Sequence, residues 1–383
     1  MRLFASPLAA VILLGWGTTV GVSPAIADTA TPYIDLNVLS GVEGSQALDV
    51  NNHGLVIGTS SRGPSTWDRA GRLTVLRALA DSIDTPTLKA VNDRDQIIGH
   101  TTTADGRDHA IRWNRDGSIT DLEFPPGKPH LWSVAINNAG TVIGIAAEIS
   151  FPLGQAVRWD QAGQVSELPE LPGPVALKRS WATAINDHGT IIGAGNDPFF
   201  SVFPGYWDRA GVSHSLAPPP GVSVGGLVTD VNNRGFIVGV RGIVWDPAGR
   251  GSLLPGDNSS ALQINERNTI LGSATFADSG TTAARWRDGR ISQLTLPPTG
   301  QSAYAIEENN DDITIGRAIL SPHQEVPVWW DRSGAVHRLA CPSSQWGSSC
   351  VVNAINDQGI AVGSGTVDTG TGGLPHALMW KLR

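Results

Sequence analysis

Ser133-Val134-Ala135-Ile136-Asn137-Asn138-Ala139-Gly140-Thr141-Val142-Ile143-Gly144 is the stretch from which the fold is read. Small and apolar residues alternate before Asn137, and an apolar run follows Gly140, the pattern of two paired strands. Between them, Asn-x-x-Gly suits a type I turn followed by a left-handed residue. The asparagine side chain holds the first turn position, and glycine takes positive φ without a Cβ clash. The phrase recurs around Asn51, Asn92, Asn137, Asn186, Asn232, Asn265, Asn309 and Asn356. Seven residues after each comes a glycine: Gly58, Gly99, Gly144, Gly193, Gly239, Gly272, Gly316 and Gly363. Where the turn glycine is missing, the residue is Asp95, Asn268 or Asp312, the types that best tolerate left-handed φ.

A second hairpin follows each first one. Trp67-Asp68-Arg69-Ala70-Gly71, Trp207-Asp208-Arg209-Ala210-Gly211 and Trp330-Asp331-Arg332-Ser333-Gly334 place Asp first and Gly fourth in the turn. The tryptophans are Trp67, Trp113, Trp159, Trp207, Trp245, Trp286, Trp330 and Trp380. Two hairpins per copy make a four-stranded antiparallel sheet. The 356 residues after position 27, shared among eight copies, give 44.5 each, a period that suits four short strands. The seventh copy, Ala305-Ile306-Glu307-Glu308-Asn309-Asn310-Asp311-Asp312-Ile313-Thr314-Ile315-Gly316, reads as a worn one with about two extra residues.

The eighth copy stops at Trp380-Lys381-Leu382-Arg383, directly after its third strand. Tyr33-Ile34-Asp35-Leu36-Asn37-Val38-Leu39 reads as an orphan fourth strand. The N-terminal segment is therefore expected to complete the last sheet and remove a free edge. The expected architecture is all-β, an eight-bladed β-propeller of four-stranded antiparallel blades, with seven blades as the alternative. Each tryptophan is then expected to cover a neighbouring blade, and Arg112, Arg158 and Arg285 to stack or pair between blades.

Composition narrows the functional classes. The chain has 383 residues, 16% of them charged, with Gly 45, Pro 25 and a formal charge of −8. That is too little charge, and too small a Gly/Pro fraction, for low-complexity disorder. No basic excess exists to displace counterions from nucleic acid. Arg2, an apolar run over residues 8–16 and Ala25-Ile26-Ala27 read as a signal peptide over 1–27, leaving 28–383 as one secreted domain, extracellular or periplasmic. No later uncharged apolar run approaches the roughly 20 residues of a membrane span. The two cysteines, Cys341 and Cys350, are expected to pair in an oxidising compartment. No cofactor is expected, because no H-E-x-x-H, P-loop or dinucleotide fingerprint occurs, and the chain is expected to be a monomer. Gly221-Val222-Ser223-Val224-Gly225 matches G-x-S-x-G, but Pro218-Pro219-Pro220 precedes it and no helix pattern follows, so it is not read as a nucleophile elbow.

Asp108-His109-Ala110-Ile111-Arg112-Trp113 and Pro375-His376-Ala377-Leu378-Met379-Trp380 resemble the HAF extracellular repeat, named for a His-Ala-Phe triplet before the tryptophan. The resemblance covers nearly all of the chain after residue 27. It implies an exported repeat protein with β-propeller-like repeats, and brings no catalytic residues with it.

The turns inside the motifs are short and uniform, whereas variation is concentrated in the connections that emerge on the opposite face. Loops on a rigid scaffold are where binding usually resides. The richest sector lies in copies three and four: Lys128, His130, Trp132, Phe151, Lys178, Arg179, Trp181, Asp197, Phe199, Phe200 and Phe203. Trp132 and Trp181 both stand five residues before their motif asparagine, so they are expected at equal height on adjacent blades, where aromatic faces with basic companions suit a sugar ring or a partner's loop. Asp49 and Asp230, each two before its asparagine, are weaker candidates for holding a cation. The function expected is non-catalytic binding of a protein or glycan. The alternative is an extracellular lyase or glycosidase, which for a glycosidase would require two acids about 5–10 Å apart among Asp105, Asp108, Glu148, Asp197 and Glu325.

Overall fold

The structure, a computed structural model, describes residues 30–37, 41, 43–149, 154–173, 179–197, 199, 201–222, 226–321, 324–342, 350–368 and 372–382. The expected signal segment lies outside the described residues. Within them the chain is all-β and antiparallel, with six separate four-stranded sheets and one sheet of eight strands. The eight-stranded sheet joins copies two and three through a single parallel pairing, His130 with Asp108. Among the described residues, no helix is long and apolar enough to cross a membrane.

Local turn chemistry accounts for the hairpins. Asp95, Asn268 and Asp312 take φ of 60°, 64° and 60°, the left-handed values expected where the turn glycine is replaced. In every copy the register between first and second strands slips shortly before the asparagine, as between Ser133 and Ala135. This bulge presses the carbonyl of Trp132 onto Gly144, where a Cβ would collide with that carbonyl and with the Trp159 ring. The motif glycine is thus fixed by close approach rather than by φ.

The seventh copy carries no insertion, contrary to its reading above. Ser302–Glu308 pairs with Thr314–Ser321 in the common register, with the same bulge between Ala305 and Glu307. Glu307 and Glu308 stand where the third copy has Ala135 and Ile136. A buried glutamate is tolerated there because Arg285 of the sixth copy pairs with Glu308 at 2.6 Å and Thr314 donates to the same oxygen.

Each tryptophan is buried against the preceding sheet, worth about 4–6 kcal/mol per ring as an upper bound. Trp159, for example, packs with Ala90, Ile98 and Ala110 of the second copy and donates from Nε1 to the Glu123 carbonyl at 2.8 Å. The arginines before the tryptophans reach forward instead: Arg112 to the Gln161 carbonyl at 2.8 Å, Arg158 to Arg209 at 2.9 Å, and Arg285 to Arg332 at 3.2 Å.

The two chain ends meet as expected. Tyr33–Asp35 pairs antiparallel with Gly373–Lys381, placing Tyr33 opposite Trp380 and Ile34 opposite Met379. Asp35 accepts from His376 at 2.7 Å. Trp67 of the first copy packs with Ala354, Val362, Ala377 and Met379 of the eighth and with Leu36. Cys341 and Cys350 are joined by a disulfide with Cα atoms 6.0 Å apart.

Candidate functional site

The motif asparagines do two jobs at once. Oδ1 closes the residue's own turn, as Asn137 does by accepting from Thr141 N at 2.9 Å. Nδ2 donates to the backbone carbonyl of the next motif asparagine. The series runs Asn51 to Asn92, Asn137, Asn186, Asn232, Asn265, Asn309 and Asn356, and Asn356 donates back to Asn51 at 2.9 Å.

The residue after each asparagine forms a second cycle: Asn52, Asp93, Asn138, Asp187, Asn233, Glu266, Asn310 and Asp357, carboxamide alternating with carboxylate. Each backbone N–H donates to the side-chain oxygen of the next, from Asn52 to Asp93 at 2.8 Å round to Asp357 on Asn52 at 2.8 Å. Burial alone would raise the Asp187 carboxyl, but the amide of Asn138 and the carboxamides of Asn233 and Asn138 hold it below the ordinary range. The alternation is printed in the sequence, yet its meaning needs the cycle. Four carboxylates gather at this end of the first strands of the copies, which approach one another.

Asp49 and Asp230, the candidate cation ligands, are buried in separate junctions between copies. Asp49 accepts from Val50 N at 2.7 Å and from Val91 N of the next copy at 3.1 Å. Asp230 accepts from Val231 N at 2.8 Å and Ile264 N at 2.9 Å. Glu307 takes the same part toward Ile355 N at 2.8 Å. Burial pushes the Asp230 carboxyl up to about 7, even against those hydrogen bonds. Among the described residues, no three His, Cys, Asp or Glu side chains are grouped to hold a metal ion.

The opposite face is where apolar side chains stay exposed. Ile83, Ile149 and Phe199 are 67%, 68% and 83% exposed on its loops, and Leu227, Tyr304, Val351 and Leu374 stand at its strand ends. Of the other exposed large apolar residues among the described ones, Val75 and Leu253 are on outer fourth strands, and Val212 closes a uniform turn, its N–H donating to Asp208 Oδ1 at 2.9 Å. Trp132 and Trp181 occupy matching registers, opposite Ile145 and Ala194, on first strands that approach one another. Both are partly exposed, whereas the next residues, Ser133 and Ala182, are buried.

The other sector residues divide. His130 stacks beside Trp132, ring centroids 6.1 Å apart, and its Nδ1 meets Asp108 at 2.8 Å. Arg179 opens the first strand of copy four and is partly exposed. Lys128 is turned to Glu167 at 2.8 Å. Asp197 is buried and accepts from Phe199 N and Ser201 N at 2.8 Å, so it shapes the loop that displays Phe199. Phe203 packs into the core between copies three and four. Phe151, Lys178, Phe200 and Ser223 lie outside the described residues.

The five acids weighed for hydrolysis are not paired with one another by any hydrogen bond seen here. Asp105 accepts from Thr103 at 2.6 Å, Asp108 serves His130, Asp197 closes its loop, Glu325 meets Arg317 at 3.1 Å, and Glu148 is exposed. Two residues of this face escaped the sequence reading. Lys89 stands three before Asn92, where the other copies carry uncharged residues, and burial lowers its ammonium pKa. His100 follows the motif glycine of copy two. Burial lowers its pKa, with Lys89 adding to the effect and Asp108 and Asp84 opposing it. For Lys89 the signal was a charged residue at an otherwise uncharged repeat position.

No protein-family profile matches the chain, and neither does any curated protein sequence. Solved structures do. Porphyromonas gingivalis dipeptidyl peptidase 4 aligns with a TM-score of 0.50 at 9% identity, over 82% of this chain and 54% of that one. The β-propeller domain of the trilobed protease from Pyrococcus furiosus, described with an open velcro topology, aligns at 0.47 and 10% identity over 78% of this chain and 96% of that one. Virginiamycin B lyase from Staphylococcus aureus aligns at 0.43 and 13% identity, over 74% and 94%. At such identities the likeness concerns the fold alone.

Proposed function

We propose that the chain is an exported, non-catalytic β-propeller of eight blades, closed by its N-terminal strand, that binds a protein or glycan through the face of its variable loops. The asparagine series that returns from Asn356 to Asn51 supports closure, and the resemblance to HAF repeats and the Cys341–Cys350 disulfide support export. The binding reading is carried by one observation: among the described residues, seven of the ten exposed large apolar side chains are on the variable face, and only Val212 is on a uniform turn. Such asymmetry marks a face that meets something. The contact centre on this reading is the sector of Trp132 and Trp181.

A screen of residues 28–383 against glycan arrays and extracellular protein fractions tests this, run beside Trp132→Ala/Trp181→Ala with its melting temperature as the folding control. The expected result is a ligand whose affinity falls at least tenfold in the folded double variant. A ligand bound equally by both proteins would remove that sector from the function.

A further inference from the structure

The innermost strands differ in charge from one end of the molecule to the other. At the uniform-turn end they present Asp93, Asp187, Glu266 and Asp357 in the alternating cycle. Toward the variable face, the side chains three, five and seven positions before each asparagine alternate with buried ones along the first strands, as in His130–Ile136 and Arg179–Ile185. Among the described residues, the ionisable side chains of Lys, Arg, His, Asp or Glu type at these positions are Lys89, His130 and Arg179, in consecutive copies two, three and four. These three first strands approach one another in sequence. Trp132 and Trp181, five positions before their asparagines, stand at the level between Lys89, three before, and Arg179, seven before.

The acids of the same sector are already engaged. Asp108 is taken by His130 and by Thr102 at 3.0 Å, Asp84 by Thr101 at 2.6 Å and Thr102 N at 2.9 Å, Asp197 by its own loop, and Glu167 by Lys128. Elsewhere around the same level the positions hold Gln46, Leu48, Leu227, Thr229, Ser260 and Tyr304. Tyr304 has Arg317 over its ring at 5.7 Å, but that guanidinium is tied to Glu325 at 3.1 Å.

From this juxtaposition we infer that the sector binds an acidic saccharide, a chain carrying uronate carboxylates, with sugar faces on Trp132 and Trp181 and carboxylates toward Lys89 and Arg179. The inference rests on the binding reading above and names the ligand class for the same site. Indole faces accept the apolar side of a sugar ring. A planar guanidinium takes a carboxylate in two hydrogen bonds, and an ammonium acts as a point charge. A desolvated cation attracts an anion more strongly than a surface one, because less water screens it. A protein partner, which would bury the aliphatic residues as well, is the competing occupant.

The experiment is calorimetric titration of the whole secreted chain with a galacturonate hexamer and, separately, with a neutral glucose hexamer of equal length. It is repeated on Lys89→Gln/Arg179→Gln and on Trp132→Ala/Trp181→Ala, each checked by thermal melting. The wild type is expected to bind the uronate hexamer at least tenfold tighter than the neutral one. The charge variant should lose that preference while keeping its melting temperature, and the tryptophan variant should lose both saccharides. Equal binding of the two hexamers by wild type, or unchanged uronate binding in the charge variant, would overturn the acidic-saccharide inference. If the uronate fails but a protein ligand is lost with the tryptophans, the inference falls and the broader reading stands. If the tryptophan variant binds every ligand as the wild type does, both fall.

Discussion

At residue 144 one methyl group separates two accounts of the motif glycine. Gly144 lies under the Trp132 carbonyl and the Trp159 ring, so Gly144→Ala has to push the first strand or the indole aside. The expected loss is about 1–3 kcal/mol in urea unfolding, with weakened ligand binding because Trp132 moves too; an unchanged midpoint would contradict the close packing. Asp230 gives a test by pH. Its carboxyl is raised from 3.8 to about 7 in the folded chain, so the fold favours the protonated form. The stability this contributes is complete below about 3.8 and is lost as pH rises through about 7. Compared with Asp230→Asn, the wild type should therefore lose stability from pH 4 to pH 7, by up to about 1.4 kcal/mol per pH unit. Urea midpoints of both proteins at three pH values check this, and a difference that does not vary with pH would refute it.

At the scale of the hairpin, Arg285 and Glu308 link the third strand of copy six to the first strand of copy seven, both side chains buried. Arg285→Met leaves Glu308 buried and unpaired, and should cost about 3–5 kcal/mol. Arg285→Met with Glu308→Ile, which installs the residue type found at Ile136 and Ile185, should recover most of it. A double variant no more stable than the single one would mean the pair does more than satisfy itself. The disulfide is a second element-scale device. Replacing Cys341 and Cys350, nine residues apart, by serine should cost about 2–3 kcal/mol of unfolding free energy, and an unchanged value would show the loop to be held without it. Strand and turn chemistry was legible in the sequence because it is local: Asp95, Asn268 and Asp312 announced their left-handed φ by residue type alone. Glu308 was not legible, since its partner is 23 residues away and only the packing of two sheets brings them together. Lys89 and the Asn52–Asp357 cycle were in plain view as letters, but their roles depend on which strands are innermost.

For the whole molecule, each sheet borrows from its neighbours: a tryptophan against the sheet before, an asparagine toward the sheet after and, in copies two, three and six, an arginine as well. Such a chain of borrowed contacts is satisfied everywhere only if the last sheet meets the first, and the proposed ring accounts for both the Tyr33–Asp35 strand in the last sheet and the Asn356 to Asn51 bond. The proposed site needs only neighbouring copies, because Lys89, Trp132, Arg179 and Trp181 stand on the first strands of copies two, three and four, which approach one another in sequence. The decisive measurement uses spin labels at the equivalent exposed turn positions Ala70, Ala162, Ala248 and Ser333, in copies one, three, five and seven, with pair distances read by pulsed electron resonance. A sealed ring of eight predicts equal 70–162 and 70–333 distances, both shorter than 70–248. A 70–333 distance longer than 70–248 would mean an open array, and would contradict the account.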